Sequence, residues 1–412
     1  MMTDLSNTHL ILFLTKGTTL GDWHTSGLLA REAELYLHLR PHLGSIAWVT
    51  YGGRADLDYQ DMLPGIDILV NRWRLPNQVY IQQLPWLHRW AFQRATILKS
   101  EQTGAAEAAI RIAQHFGKRY IARSGFSLSL FAQYEPEQFS EQYEQILAQE
   151  KHSFEIAQQV VVTTQEMRQV AIETHHISPD KIRVIPNYIN THRFCPPENP
   201  IQTEKPYLVF VGRLVPQKNV DAFLTAVAPL KHTQVDIIGN GDLRDHLAGR
   251  IEREGLYHVR LLGNVPNHQL PQYFQRATLY VQPSRYEGHP KTIFEAMACG
   301  TPVLAGDAPG VRQFIQHGET GWLCGLAAED IRQGIETLLA DEGLRIRLGR
   351  AGREYVVKHF AFETVVAQEL SVLTAVAALP EPAANPQPRP ILRSVLAYGE
   401  RVGWLIRTRL TP

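Results

Sequence analysis

Two glutamates eight positions apart, Glu287 and Glu295, frame the densest chemistry in the chain: Tyr286, Glu287, Gly288, His289, Pro290, Lys291, Thr292, Ile293, Phe294, Glu295. Pro290 suits the first turn of a helix and Gly300 its C-terminal cap. The spacing therefore predicts Glu287 on a loop and Glu295 inside a short helix, roughly 7 Å further along its axis. Backbone amides across residues 288–291 then face an incoming ligand, because the first N–H groups of a helix have no partner within it. A carboxylate beside a phosphate would repel it, so the natural partner of these acids is a pair of vicinal hydroxyls.

A second constellation is cationic. Arg213 and Lys218 stand in the run Gly212, Arg213, Leu214, Val215, Pro216, Gln217, Lys218, Asn219, just past the apolar stretch 207–211, where open α/β sheets bind ligands. A planar guanidinium fork and a point charge together suit a diphosphate. Two solvated loop cations fit the same letters. Near the N-terminus, the stretch 10–14 runs into Lys16, Gly17, Thr18, Thr19, Leu20, Gly21; glycine there allows close approach to a ligand, although a plain strand-to-helix turn fits as well. Asp56 and Asp58 match the Asp-x-Asp of metal-dependent transferases but follow Gly52 and Gly53, and are expected in a solvated loop. His175 and His176, before Ser178 and Pro179, are expected at the surface.

The elements that must position these groups alternate regularly. Strand-like runs at 10–14, 46–51, 66–70, 120–122, 160–163 and 182–185 are separated by helical stretches, one of them at about 25–39, as in parallel βαβ units. Pro196, Pro197, Pro200 and Pro206 mark a linker, after which the alternation restarts at 207–211, 235–238, 259–262, 278–281 and 302–305. The expected division is an N-terminal α/β domain over 1–187, a linker over 188–206, and a second α/β domain over 207–359. A helix over 360–378 and a Pro-rich linker with a tail over 379–412 follow.

Composition narrows the function. A length of 412 residues suits two or three domains. Lys plus Arg and Asp plus Glu each count 41, so net charge is zero and bulk attraction to nucleic acid is excluded as an organising principle. Cys195, Cys299 and Cys324 are too scattered for a zinc site or a disulfide framework, and a reducing cytoplasm is the default. No apolar run approaches the roughly 20 residues of a membrane span, and the stretch 9–14 is shorter than a signal-peptide core.

The second half resembles the C-terminal domain of retaining glycosyltransferase family 4 (the group 1 glycosyltransferases), of the GT-B fold. The family's glutamate pair is matched by Glu287 and Glu295, its Gly-Arg-Leu and Lys-Asn by Gly212, Arg213, Leu214, Lys218 and Asn219, and its Gly-x-Gly turn by Gly239, Asn240 and Gly241. Pro186 and Asn187, Pro309 and Gly310, and the turn 318–321 match as well, so the resemblance covers about 180–360. It implies two Rossmann-like domains facing a central cleft, with the helix after 360 returning to the N-terminal domain. It also implies transfer of a sugar from a nucleotide-diphosphate sugar to an acceptor hydroxyl with retention, in polysaccharide, cell-envelope or glycolipid synthesis. Arg213 and Lys218 would then hold the donor diphosphate, without metal and with no cofactor besides the donor as co-substrate. Glu295 would take the ribose hydroxyls and Glu287 the sugar hydroxyls. Gly288, His289, Pro290 and Lys291 would line the sugar and phosphate site, Gly241 and Val265 the base, and Gly17 would approach the diphosphate alongside Gly212. Where many members carry a histidine near the transferred sugar, this chain reads Ala122, Arg123, Ser124, Gly125, Phe126, Ser127. A nucleotide-sugar epimerase and a non-catalytic glycan or nucleotide-sugar binder of the same fold stay open as alternatives.

From Ile68 to Ser100 there is no acidic residue, yet Arg72, Arg74, Arg89, Arg94 and Lys99 accompany Trp73, Trp86 and Trp90. This mixture suits an anionic lipid head group or a lipid-linked acceptor, or tryptophans in a core with arginines in water. The tail places Ile391, Val395, Tyr398, Val402 and Ile406 at helical spacing, with Arg393 and Arg407 on other faces. Such a helix either docks on the first domain or lies on a membrane. A cytoplasmic enzyme with peripheral contact at the inner face of a membrane is the location these features imply.

Overall fold

The computed structural model describes residues 4–134, 142–199 and 201–388. The first half forms a seven-stranded parallel sheet from β1 (His9–Phe13), β2 (Ser45–Val49), β3 (Ile66–Leu69), β4 (Ile97–Ser100), β5 (Arg119–Ser124), β6 (Gln159–Val162) and β7 (Ile182–Val184), in the order β3-β2-β1-β4-β5-β6-β7. The second half forms a six-stranded parallel sheet from β8 (Tyr207–Val211), β9 (Gln234–Ile238), β10 (Val259–Gly263), β11 (Leu279–Gln282), β12 (Val303–Gly306) and β13 (Trp322–Cys324), in the order β10-β9-β8-β11-β12-β13. Both sheets reverse direction beside their first strand, at β1/β4 and β8/β11, and the crevice at such a reversal is where doubly wound sheets take ligands. All five side chains of β8 are buried, as a strand covered on both faces requires.

Two strands escaped the sequence expectation for physical reasons. β4 carries Lys99, a residue that argues against a buried strand until its partner is seen: its Nζ lies 2.6 Å from Glu369 Oε2, and both side chains are almost wholly buried. β13 is only three residues long and partly exposed. The helical pattern expected over 25–39 is split into Leu20–Thr25 and Leu29–Leu39, with Gly27 at φ +73° between them. Thr19 caps the first piece in a reciprocal box with Asp22.

The chain crosses between the domains twice, and the crossings touch: Ile189 N–H donates to Phe360 O at 2.8 Å and Ile189 bridges Ala361. The helix Phe362–Ala377 then packs Val365, Val372, Leu373 and Val376 into the apolar layer of the first sheet that contains Leu12, Trp48 and Ile97. Beyond it, Asn385 N–H donates to Gln114 O at 2.7 Å, tying the proline-rich segment to the same domain. The tail positions Ile391, Arg393, Val395, Tyr398, Val402, Ile406 and Arg407 lie outside the described residues.

Two expectations are corrected. Asp56 is buried, not solvated, because its Oδ2 accepts from Leu20 N–H at 3.1 Å and Thr50 Oγ1 at 2.7 Å; it ties the loop after β2 to the helix after β1. His175 is buried too, with Nε2 3.1 Å from Glu150 Oε2, while its neighbour His176 is exposed. Glu150 also accepts from Ser129 Oγ at 2.5 Å and Leu128 N–H at 2.9 Å, so this acid caps the helix Leu128–Tyr134.

Candidate functional site

The loops after β8 and β11 converge because Gln217 binds both ends of the gap: its carbonyl accepts from Arg285 N–H at 2.8 Å and its side chain donates to Tyr286 O at 3.0 Å. Asn219 sits in the left-handed region at φ 56° and donates to Leu326 O, which fixes the turn carrying Lys218. As a result Lys218 Nζ reaches Glu287 Oε1 at 2.5 Å, and Gln282 Nε2 donates to the same oxygen at 2.6 Å. Glu287 is held from behind by the turn at Pro309 and Gly310, where Glu287 N–H donates to Pro309 O at 3.0 Å. A Cβ at Gly310 would fall 1.7 Å from Glu287 O, so only glycine fits that turn.

The helix Lys291–Ala298 begins immediately after Pro290, and Gly300 at φ +74° follows its last turn. Glu295 lies one helical face further in, buried, accepting from Asn267 Nδ2 at 3.0 Å. Burial pushes its carboxyl up, against the pull of Arg31, Asn267 and Lys291. Burial likewise pushes the Lys291 ammonium down to about 8, helped by the neighbouring Arg31 charge. The His289 ring packs edge-on against Phe294, Phe314 and Phe360, and burial drives its imidazole down to about 3, so it is neutral at ordinary pH. Neither of its buried ring nitrogens has a partner among the described residues.

These groups open onto a cleft of about 470 Å³ between the two domains, lined by Gly212, Arg213, Lys218, Glu287, Gly288, His289, Pro290 and Lys291 from the second domain. A second cavity of about 620 Å³ adjoins it and holds Val265, Asn267 and Glu295. Leu28, Arg31, Lys291 and Thr292 line both, so the two form a continuous trough with Lys291 and Arg31 at the junction. A cavity of about 740 Å³ on the far side of the second domain, walled by Pro196, Pro197 and Phe274, lacks these polar groups.

Two expected contacts are not in the trough. Gly241 lies at φ 157° and packs on the Leu214 carbonyl, where a Cβ would come within 2.5 Å; it serves the turn and lines neither cavity. Gly17, at φ +85°, turns the chain beside Asn77 and also lines neither. From the first domain the trough instead receives Arg31, Glu32, Glu101, Arg123, Phe126 and Phe131. Arg123 stands at the strand exit where the family resemblance would place a histidine, and its Nη2 donates to Asn187 Oδ1 at 2.8 Å. Neither Arg123 nor Arg31 belongs to a motif that the sequence marks as a site. The one available signal for Arg31 was its place in the first turn of a helix that follows the Ser26 and Gly27 break.

Comparison with known proteins agrees with this geometry. Residues 193–355 match the family described as glycosyl transferases group 1. Alpha-maltose-1-phosphate synthase of Mycolicibacterium smegmatis is 28% identical over 56% of this chain and 66% of its own length. A GDP-mannose-dependent alpha-(1-6)-phosphatidylinositol monomannoside mannosyltransferase of Mycobacterium tuberculosis is 30% identical over 40% of this chain and 46% of its own. The chain thus spans between about half and two thirds of the length of such relatives. Among solved structures, Anabaena HepE in complex with UDP and glucose aligns with a TM-score of 0.72 at 18% identity, over 89% of this chain and 99% of its own. Sucrose-phosphate synthase from Thermosynechococcus elongatus aligns with 0.72 at 21% identity, over 90% and 99%. At these identities the structural matches establish the two-domain GT-B fold.

Proposed function

We propose that the chain moves a sugar from a nucleoside-diphosphate donor to an acceptor hydroxyl with retention of configuration, because residues 193–355 match the group 1 glycosyl transferases and the chain has the GT-B fold. The observation that carries this reading is the trough: Arg213 and Lys218 beside Glu287 at one end, Glu295 and Val265 at the other, Lys291 between. That order fits a donor laid lengthwise, sugar against Glu287, diphosphate at the cations, ribose at Glu295 and base at Val265.

In the reaction the bond from the anomeric carbon to the diphosphate breaks and a bond to the acceptor oxygen forms on the same face. The acceptor proton passes to the departing phosphate oxygen, so no protein nucleophile is needed. What the chain supplies is placement and charge: Arg213 and Lys218 neutralise the oxygen that gains negative charge, a contribution typically worth about 10² to 10³ in rate per donor. Both contacts to the Glu287 carboxylate fall on Oε1, which leaves Oε2 for a sugar hydroxyl. Neutral His289 is suited to a second hydroxyl.

The cationic pair argues for catalysis without metal, and Asp56 is already engaged with Leu20 and Thr50. A panel of nucleotide sugars tested with excess chelator, with and without saccharide and lipid-linked acceptors, measures the proposal. Acceptor-dependent release of nucleoside diphosphate is expected; a strict requirement for added manganese would contradict the metal-free clamp.

A further inference from the structure

The first domain presents aromatic and cationic side chains to solvent in a way that no internal packing explains. Trp90 is 81% exposed and Trp73 38%, with Arg72, Arg74, Arg89 and Arg94 exposed around them. The arrangement is built. Asn71 clamps the loop that carries Arg72, Trp73 and Arg74, its side chain donating to Leu75 O at 2.7 Å and accepting from Leu75 N–H at 3.1 Å. Arg74 is held at φ 54°, a conformation that a side-chain-bearing residue adopts only when its surroundings impose it. Arg72 lies 4.5 Å over the Trp73 ring and Arg89 5.7 Å from the Trp90 ring. Trp73 meets His88 at 5.5 Å, and His88 is pinned by Tyr80 at 2.9 Å, which joins the loop to the helix Arg89–Arg94.

Three facts decide what covers this face. An exposed tryptophan ringed by arginines matches the interface of a bilayer, where the indole sits at head-group level and each guanidinium meets lipid phosphate. The stretch from Ile68 to Ser100 contains no acid, so the patch is complementary to an anionic surface and to nothing cationic. The last described residues lie near it: Gln387 N–H donates to His115 Nδ1 at 3.1 Å, and His115 meets Trp86 edge-on at 5.4 Å, three positions before Arg89. The sequence that follows, 389–412, carries five arginines against one glutamate, a composition with the same preference for an anionic surface. We propose that the face formed by Arg72, Trp73, Arg74, Arg89, Trp90 and Arg94 docks the protein on an anionic lipid bilayer. Arg94 contacts His9 at 3.4 Å, at the start of β1, while Arg72, Trp73 and Arg74 follow the carboxyl end of β3; none of the six residues lines the trough, so docking leaves it open.

The test uses the full chain and vesicles of phosphatidylcholine, either alone or with about a third phosphatidylglycerol. Sedimentation should carry the protein down with the anionic vesicles and not with the neutral ones, with tryptophan emission shifted to the blue. Trp90→Ala and Arg89→Glu should each weaken this binding by about fivefold or more. Because both side chains are exposed, thermal midpoints and donor binding should stay at wild-type values. Equal recovery with both vesicle types, or unchanged binding by both variants, would overturn the proposal. So would capture by soluble polyphosphate at the same affinity, which would make the face a general polyanion site.

Discussion

Lys218 and Glu287 form an ion pair of 2.5 Å across the loops that follow β8 and β11, with both side chains largely buried at the mouth of the trough. The proposed diphosphate cation and the proposed sugar-binding acid thus hold each other in place. The pair makes the two functions separable by substitution. Arg213→Ala removes one charge and a 3.4 Å contact to Gln217, so turnover should fall by about 10² to 10³. Lys218→Ala removes a charge and also the partner of Glu287, so steady-state turnover should fall further. Equal losses would show that the pair has no positioning role.

Gly310 offers a test that touches no charge. Its φ of +73° and a Cβ that would stand 1.7 Å from Glu287 O mean that Gly310→Ala must push the Glu287 backbone outward. A displacement of about 1 Å is enough to cost up to 10² in rate. Turnover should therefore drop at least tenfold, roughly, while nucleotide affinity, which the proposed function assigns to Glu295, holds in a calorimetric titration.

Glu295→Gln should act in the opposite sense. The substitution keeps the shape but removes the negative charge that a pair of ribose hydroxyls would share, a loss of about 1.5 kcal/mol or more for hydrogen bonds to a charged group. Calorimetry with a nucleoside diphosphate should show weaker binding by about tenfold. Undiminished affinity would move the ribose elsewhere.

Lys291 gives the trough a pH dependence. With its ammonium pushed down to about 8 by burial and Arg31, it is cationic below that pH and neutral above it. Donor affinity and kcat/KM should therefore decline as pH rises from 7 to 9, approximately, and Lys291→Arg should flatten the decline. Because a bound diphosphate favours the charged form, the fall in kcat should come at higher pH than the fall in kcat/KM.

Away from the cleft, Lys99 and Glu369 anchor the last helix with a buried pair of 2.6 Å. Glu369→Ala should destabilise the fold by about 3–5 kcal/mol, since it leaves Lys99 buried and unpaired. Replacing both by apolar residues should recover much of that loss. Denaturant midpoints of the single and double variants measure the difference.

The parts of this account that were legible in the sequence are those whose cause is local. Glu287, Pro290, Glu295 and Gly300 declare a loop, a helix and its end within fourteen residues, and Arg213 and Lys218 follow directly on an apolar strand. Arg31 and Arg123 come to the trough from a helix and a strand of the first domain that are far apart in the chain, so no shared motif announces them, and the only local sign is the Ser26 and Gly27 break before the helix of Arg31. Lys99 hid β4 because its partner is Glu369, 270 positions away. Asp56 and His175 read as surface residues for the same reason: their polar partners, Leu20 with Thr50 and Glu150, come from other elements.

The most direct measurement of the central claim is proton NMR of the anomeric region while the enzyme consumes a nucleotide sugar in the presence of an acceptor. The donor's anomeric signal should be replaced by a glycosidic one of the same configuration, together with free nucleoside diphosphate. With the Arg213→Ala and Lys218→Ala double variant the signal should persist. A product of inverted configuration, or a nucleotide sugar epimerised without acceptor, would contradict it.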